Sequence, residues 1–490
     1  MITYLKNTAK HTLIFSLSSI LSKAIGFFLL PIYTRYLNPT DYGILEILSL
    51  LLNVSIFFIT QGLPSALFRS YSYEYVDDEK MRKQAVSTSI LYVSIVGFIF
   101  SASFYLSAGY INKVIYGTKN YTHLIQMIAI TAFIVTSSHI PSALLRAKLK
   151  SIQLSISSIV YLLLNISLNL YFILILKIGL KGLIYGNLIS AFLFSLILFM
   201  LVSKDISRTF SFKILKKMLI YGLPLVPAGL ALFLMNGSDR FFLQYFSTSH
   251  EVGLYGVGYK ISAIISFIIF EPFLLVWPSI YFQAATESNG PDFFSRFLTI
   301  FFLIVSFASL GAILLSKPVI MLITPQEFWG ASAICTWLIL GFALNGLSNV
   351  LNVGIYIKQK TQLITVITII STITNLILNF ILIPSYGIMG ASISTFISFL
   401  IMSILSYLFN QRVYPIHYPW VKIVKNILIF IICLSGSCFI TVEGLYRGLI
   451  KAIIILSIFS VSILLSGYFS RDEINRVTAL VKRKLVSRNT

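Results

Sequence analysis

Long unbroken apolar runs, separated by short polar stretches, recur from one end of the chain to the other. A run of about 20 apolar residues crosses the roughly 30 Å hydrocarbon core of a bilayer as a helix. The pattern predicts fourteen such spans, near 11–34, 41–66, 85–108, 121–145, 152–176, 182–203, 218–246, 252–282, 294–316, 329–357, 362–383, 388–410, 423–441 and 449–469. The runs are continuous rather than alternating, and far longer than the roughly 10 residues of a barrel strand, so the predicted class is all-α and polytopic. The first run follows Lys6 and Lys10 and has no small-residue cleavage site before a soluble domain, so it reads as a retained span. Pro272 and Pro278 inside 252–282 predict a kink there.

The chain resembles itself at an offset near 210. Asn165 and Asn169 match Asn375 and Asn379, and Lys148 and Lys150 match Lys358 and Lys360. Gly43 in DYGIL matches Gly253 in EVGLY, and Gly179 and Gly182 match Gly387 and Gly390 after a two-residue contraction. Six spans per unit return the chain to its starting side, so the two units face the same way, related by an axis along the membrane normal. The expected organisation is an N-terminal lobe at 1–210, a C-terminal lobe at 211–411, and two added spans with a basic tail at 412–490. Two such lobes suit a central site opened alternately to each side.

Composition sharpens this. Of 490 residues, 57% are hydrophobic and 11% charged, and 37 Lys and Arg outnumber 16 Asp and Glu. An ordinary soluble enzyme is excluded, and the excess of cations reads as basic loops on one membrane face rather than nucleic-acid binding. With the N-terminus inside, 25 Lys and Arg fall in inside segments and 8 in outside segments, which places both termini in the cytoplasm. An even number of spans agrees. The three cysteines sit in apolar segments without metal spacing, and the five histidines are scattered. No GxxxxGK[ST] loop is present, so the chain carries no phosphate loop of its own. Asp77-Asp78-Glu79 lies in a short basic loop and reads as a solvated patch. Small outer loops disfavour a glycosyltransferase or polymerase. No cofactor or metal is implied.

The candidate chemistry lies in the few charges inside spans, which usually face protein or a wet cavity. Lys23 sits near the midplane of the first span and reads either as a cavity cation or as a lysine paired to a carboxylate. Asp239 and Arg240 are adjacent in span 7; pointing about 100° apart, they are expected not to pair with each other. Lys260 lies in span 8, and Glu46, in span 2, can partner either cation. Glu271 directly precedes Pro272, where a missing backbone hydrogen bond frees a carbonyl; it is the candidate for carrying a proton or Na⁺.

The segments LSKAIGFFLLPIYTRYLNPTDYGILEI (21–47), YGLPLVPAGLALFLMNGSDRFFLQYF (221–246) and EVGLYGVGYKISAII (251–265) resemble Wzx-type oligosaccharide flippases. These belong to the multidrug/oligosaccharidyl-lipid/polysaccharide exporter superfamily, with the multidrug extruders and lipid II flippases. The resemblance spans about the whole chain. It implies transport, not catalysis: an undecaprenyl-diphosphate-linked oligosaccharide repeat unit carried across the bacterial inner membrane, through a cationic cavity, for O-antigen or related surface polysaccharide. Lys23, Asp239, Arg240 and Lys260 are the matching cavity candidates. Membrane lipids, H⁺ or Na⁺, and polysaccharide polymerase and chain-length proteins are the expected partners. A drug/cation antiporter and a lipid II flippase are the alternatives within the superfamily.

Overall fold

The computed structural model describes residues 29–117, 119–207, 209–287, 289–440 and 444–468. Among them every regular element is helical. The main helices are α1 (Pro39–Thr60), α2 (Glu79–Tyr116), α3 (Thr122–Ala147), α4 (Ser151–Leu170), α5 (Gly179–Val202), α6 (Phe212–Gly222), α7 (Leu225–Phe246), α8 (Ser249–Ser262), α9 (Glu271–Ala284), α10 (Gly290–Ile323), α11 (Ser332–Leu351), α12 (Gln362–Val413), α13 (Trp420–Cys438) and α14 (Leu445–Leu465). Each predicted span from the second onward has a helix in its place. The first span, Lys23 included, lies almost wholly outside the described residues.

Local chemistry sets the boundaries. Asn38 caps α1 by accepting from the Asp41 N–H at 2.8 Å, and Pro39 follows at the first helical position. Thr248 caps α8 in the same way, from Glu251 N–H at 3.3 Å. Asp78, within the acidic triplet, caps α2 through Met81 N–H at 2.9 Å, and Glu79 pairs with Lys83 at 2.7 Å. These are structural duties, in line with a solvated patch.

Two predicted spans, 362–383 and 388–410, are two helices that meet at a kink within the 52 residues of α12. At about 1.5 Å per residue that is more than twice the bilayer core, so the chain must turn within it. The turn is at Gly387, whose φ of 51° and ψ of −131° break the helix. Past it, a Cβ on Gly390 would stand 2.4 Å from the Leu382 carbonyl oxygen, so the two limbs press together. The first half repeats this: Gly179 has a φ of 57°, and a Cβ on Gly182 would meet Phe172 Cβ at 2.7 Å. The predicted kink in span 8 is also present. α8 stops at Ser262, a π-turn covers Ser266–Phe270, and α9 begins at Glu271 with Pro272 in its first turn.

The matched glycines Gly43 and Gly253 lie against each other. A Cβ on Gly43 would stand 1.8 Å from Ser249 O, and one on Gly253 would stand 1.9 Å from Pro39 O. Ser249 and Pro39 are themselves 210 apart, so the contact is reciprocal, as at a two-fold interface. Small residues allow such backbone approach between membrane helices. Beyond the other end of α1, Gly62 (φ 74°) meets Gly222, with a Cβ-to-carbonyl distance of 2.2 Å. The region around α1 is thus gripped by the second half at both ends.

Candidate functional site

Between those two grips, α1, α7 and α8 bring four ionisable groups together. Glu46 Oε1 lies 2.7 Å from Lys260 Nζ, and its Oε2 lies 3.3 Å from Arg240 Nε. One carboxylate therefore serves both cations. The Glu46 stem runs against Gly256, where a Cβ would come within 2.9 Å of Glu46 Cγ. Lys260 also donates to the Tyr42 hydroxyl at 2.7 Å. Arg240 stacks over the Tyr259 ring with its Cζ 4.2 Å from the centroid, and donates to Asn236 O at 2.9 Å.

Asp239 is fully buried. Its Oδ1 accepts the Arg240 backbone N–H at 2.8 Å, and its Oδ2 accepts from the Tyr255 hydroxyl. The expectation that Asp239 and Arg240 would not pair is corrected: Arg240 Nη1 is 3.4 Å from Asp239 Oδ1. The 100° separation holds for Cα–Cβ directions, but the long arginine stem folds its guanidinium back over its neighbour. Arg240 is held inside the bundle, 5% exposed.

Two carboxylates thus meet two cations, so the expected surplus of positive charge is absent among the described members of the cluster. The members differ in access. The Arg240 side chain is 6% exposed, whereas that of Lys260 is 41% exposed. A buried arginine with two carboxylates is locked in place; the lysine side chain keeps more accessible surface, with its ammonium bonded to Glu46 and Tyr42.

Beside Asp239 lies a neutral polar set. Asn375 Oδ1 accepts from Ser238 Oγ at 3.2 Å and from Asn379 Nδ2 at 3.0 Å, and Tyr255 reaches Thr395 Oγ1 at 3.4 Å. Asn375 Nδ2 and Asn379 Oδ1 remain buried without a partner among the described residues. One leftover donor and one leftover acceptor, both buried, are suited to a bound water. In the first half, Asn169 likewise donates to Asn165 at 3.0 Å and to the Tyr33 hydroxyl at 3.1 Å.

Glu271 is half-buried at the start of α9, beyond the π-turn and outside the Glu46 cluster. Sequence reasoning named Glu46, Asp239, Arg240 and Lys260, which the structure brings together, and Glu271, which lies apart from them; it did not name Tyr42, Tyr255, Tyr259 and Asn236. The i,i+4 spacing of Tyr255 and Tyr259, immediately before Lys260, was the available signal.

A bundle of apolar helices around a buried ion-pair cluster defines a multi-pass membrane protein with the fold shared by lipid flippases and multidrug transporters. A structure titled "Lipid II flippase MurJ, inward closed conformation" superposes with a TM-score of 0.75 at 16% identity, covering 94% of this chain and 100% of that one. An inward-facing MATE family transporter of the MOP superfamily superposes at 0.62 with 17% identity, covering 82% and 97%. Residues 32–332 match the family described as "Polysaccharide biosynthesis protein", and the chain belongs to that family. It is also 27% identical over 202 residues to the probable low-salt glycan biosynthesis flippase Agl15 of Haloferax volcanii, a match that spans 40% of this chain and 42% of that relative.

Proposed function

We propose that the protein is a flippase for a lipid-linked oligosaccharide, an undecaprenyl-diphosphate-linked repeat unit of O-antigen or a related surface polysaccharide. The observation that carries this reading is the Lys260 ammonium, on a partly accessible side chain and held beside a carboxylate that also grips Arg240. A diphosphate is the anion that such a cation binds by charge-assisted hydrogen bonds. It would take Lys260 from Glu46, so the resting ion pair keeps the cation tolerable in a low-dielectric interior until cargo arrives. Lys23 would add a further cation to the cavity. The halves 1–210 and 211–411 would then rock against each other, with 412–490 as an appendage. We place the protein in the bacterial inner membrane with both termini cytoplasmic, where polymerase and chain-length proteins would receive its product.

The driving ion, H⁺ or Na⁺, would be carried by a carboxylate inside the bundle. Glu271, beside the opened helix, is the candidate from the sequence; Asp239, buried against Tyr255 and the Arg240 backbone, is the one the geometry adds. The balance of two carboxylates and two cations also favours a second reading, a drug/cation antiporter. A lipid II flippase shares the headgroup chemistry. Deletion followed by analysis of lipid-linked sugars tests these readings. Completed single repeat units trapped on the cytoplasmic leaflet support the proposal; intact surface polysaccharide with new drug sensitivity supports the antiporter. Trapped peptidoglycan precursor supports the lipid II flippase, and units accumulating on the far leaflet support a polymerase.

A further inference from the structure

The short helix α6 carries a surface that the Glu46 cluster does not use. At about 100° per residue, Ile214, Leu215, Met218 and Gly222 fall on one side of it, and all four are buried. That side is fastened to the first half. Met218 Sδ accepts from Ser89 Oγ at 3.5 Å, and Gly222 meets Gly62. The Arg69 guanidinium lies over the Tyr221 ring, with its Cζ 4.6 Å from the centroid. Ser211 fixes the start of the helix: it accepts from Ile214 N–H at 3.3 Å, and its own N–H donates to Thr88 Oγ1 at 3.1 Å. At the other end the chain bends by 42° into α7. α6 is therefore a fixed ledge at one end of the bundle, set at an angle to the span that follows.

The free side of the ledge mixes two chemistries. Phe212, Ile220 and Leu223 are 72%, 65% and 47% exposed, and Lys213, Lys216 and Lys217 are exposed beside them. Phe212, Lys216, Ile220 and Leu223 share a sector of about 80°, and Lys213 and Lys217 continue it along one edge. A recess of about 420 Å³ follows this strip, lined by Phe212, Leu219, Ile220 and Leu223 together with Lys216. Among the described residues none of the three lysines is in an ion pair. No Asp or Glu occurs between Asp205 and Asp239, and Asp205 is taken by Lys148. An apolar strip edged with lysines fits neither bulk water nor pure hydrocarbon; it fits the plane where headgroups meet acyl chains. We propose that this face of α6 docks an anionic glycerophospholipid of the leaflet at that end, with an acyl chain along Phe212, Ile220 and Leu223 and the phosphate on Lys216, flanked by Lys213 and Lys217. Each basic residue near an anionic bilayer surface is worth about fivefold in binding.

The test places a fluorescent bimane on Ile220→Cys in the full chain, after Cys335→Ala, Cys433→Ala and Cys438→Ala, in nanodiscs that mix phosphatidylglycerol with phosphatidylcholine. Brominated phosphatidylglycerol should quench the label with at least about fivefold higher apparent affinity than brominated phosphatidylcholine, the worth of one engaged lysine. Aqueous iodide should quench it weakly, and added salt should narrow the lipid preference. Combined Lys213→Gln, Lys216→Gln and Lys217→Gln should make the two lipids quench equally. Lys177→Gln and Lys181→Gln, at the opposite end of α5, should leave the preference intact. A melting curve establishes that each variant is folded, and Lys216→Gln alone, with a reduced preference, serves if the triple variant is not. Equal quenching by both lipids in the parent chain overturns the proposal, and so does a preference that persists in the folded lysine variants. Quenching by iodide in excess of that by lipid overturns it too, by placing the face in water, where its lysines would serve a soluble acidic partner.

Discussion

Lys260 and Arg240 share Glu46, yet their duties are expected to separate on mutation. Lys260→Ala should reduce transport by about 10–100-fold, the worth of a charged hydrogen bond of roughly 1.5–3 kcal/mol, and Lys260→Arg should restore part of it. Unchanged rates in proteoliposomes would remove Lys260 from the cargo path. Glu46→Gln leaves both cations less neutralised. It should bind undecaprenyl diphosphate more tightly while releasing it more slowly, so affinity rises as turnover falls; weaker binding would refute the exchange of partners. Glu271→Gln should abolish proton or Na⁺ dependence, measured as transport against an imposed gradient, and unchanged dependence would make Glu271 structural. The ionisable members of the cluster were legible because charges stand out against an apolar background. Its tyrosines stood out less, because 27 Tyr are spread over the chain and only the spacing of Tyr255 and Tyr259 marked any of them. The Asp239–Arg240 contact was misjudged because helical spacing describes Cβ directions and not the reach of a four-bond stem.

At the level of helices, apolar run length located the spans, and proline and glycine located the breaks. Run length also placed the boundary between the spans at 362–383 and 388–410, and the kink falls in that gap. Gly387 alone turns α12, and a Cβ there would lie 2.6 Å from Glu251 Oε2. Gly387→Ala therefore meets both a positive φ and an occupied space. It should lower stability by about 1–3 kcal/mol, the usual cost of such backbone strain, read as a fall in melting temperature in detergent. Gly109, where a Cβ meets nothing within 4 Å, is the control and should tolerate alanine at only the helix-propensity level. An equal response at both positions would show that the turn does not depend on glycine.

Across the whole molecule, the repeat seen as an offset in sequence becomes contact in space. The sequence showed that Gly43 and Gly253 correspond; it held no sign that they meet, because a two-fold axis is a property of assembly and not of either copy. Gly43→Ala and Gly253→Ala should each push the halves apart at that end. Cysteine-labelling reagents applied from that side should then reach Lys260→Cys faster than in the parent protein, and equal labelling would show that the contact does not close the path. The same backbone-to-backbone contact has a bioenergetic consequence. A cell holding a proton or sodium gradient across its membrane depends on every carrier in it being electrically tight at rest. With peptide groups abutting at Gly43–Gly253 and at Gly62–Gly222, each contact is a backbone seal between the halves, and a carrier that keeps one of them closed at every stage would hold cargo without short-circuiting the membrane.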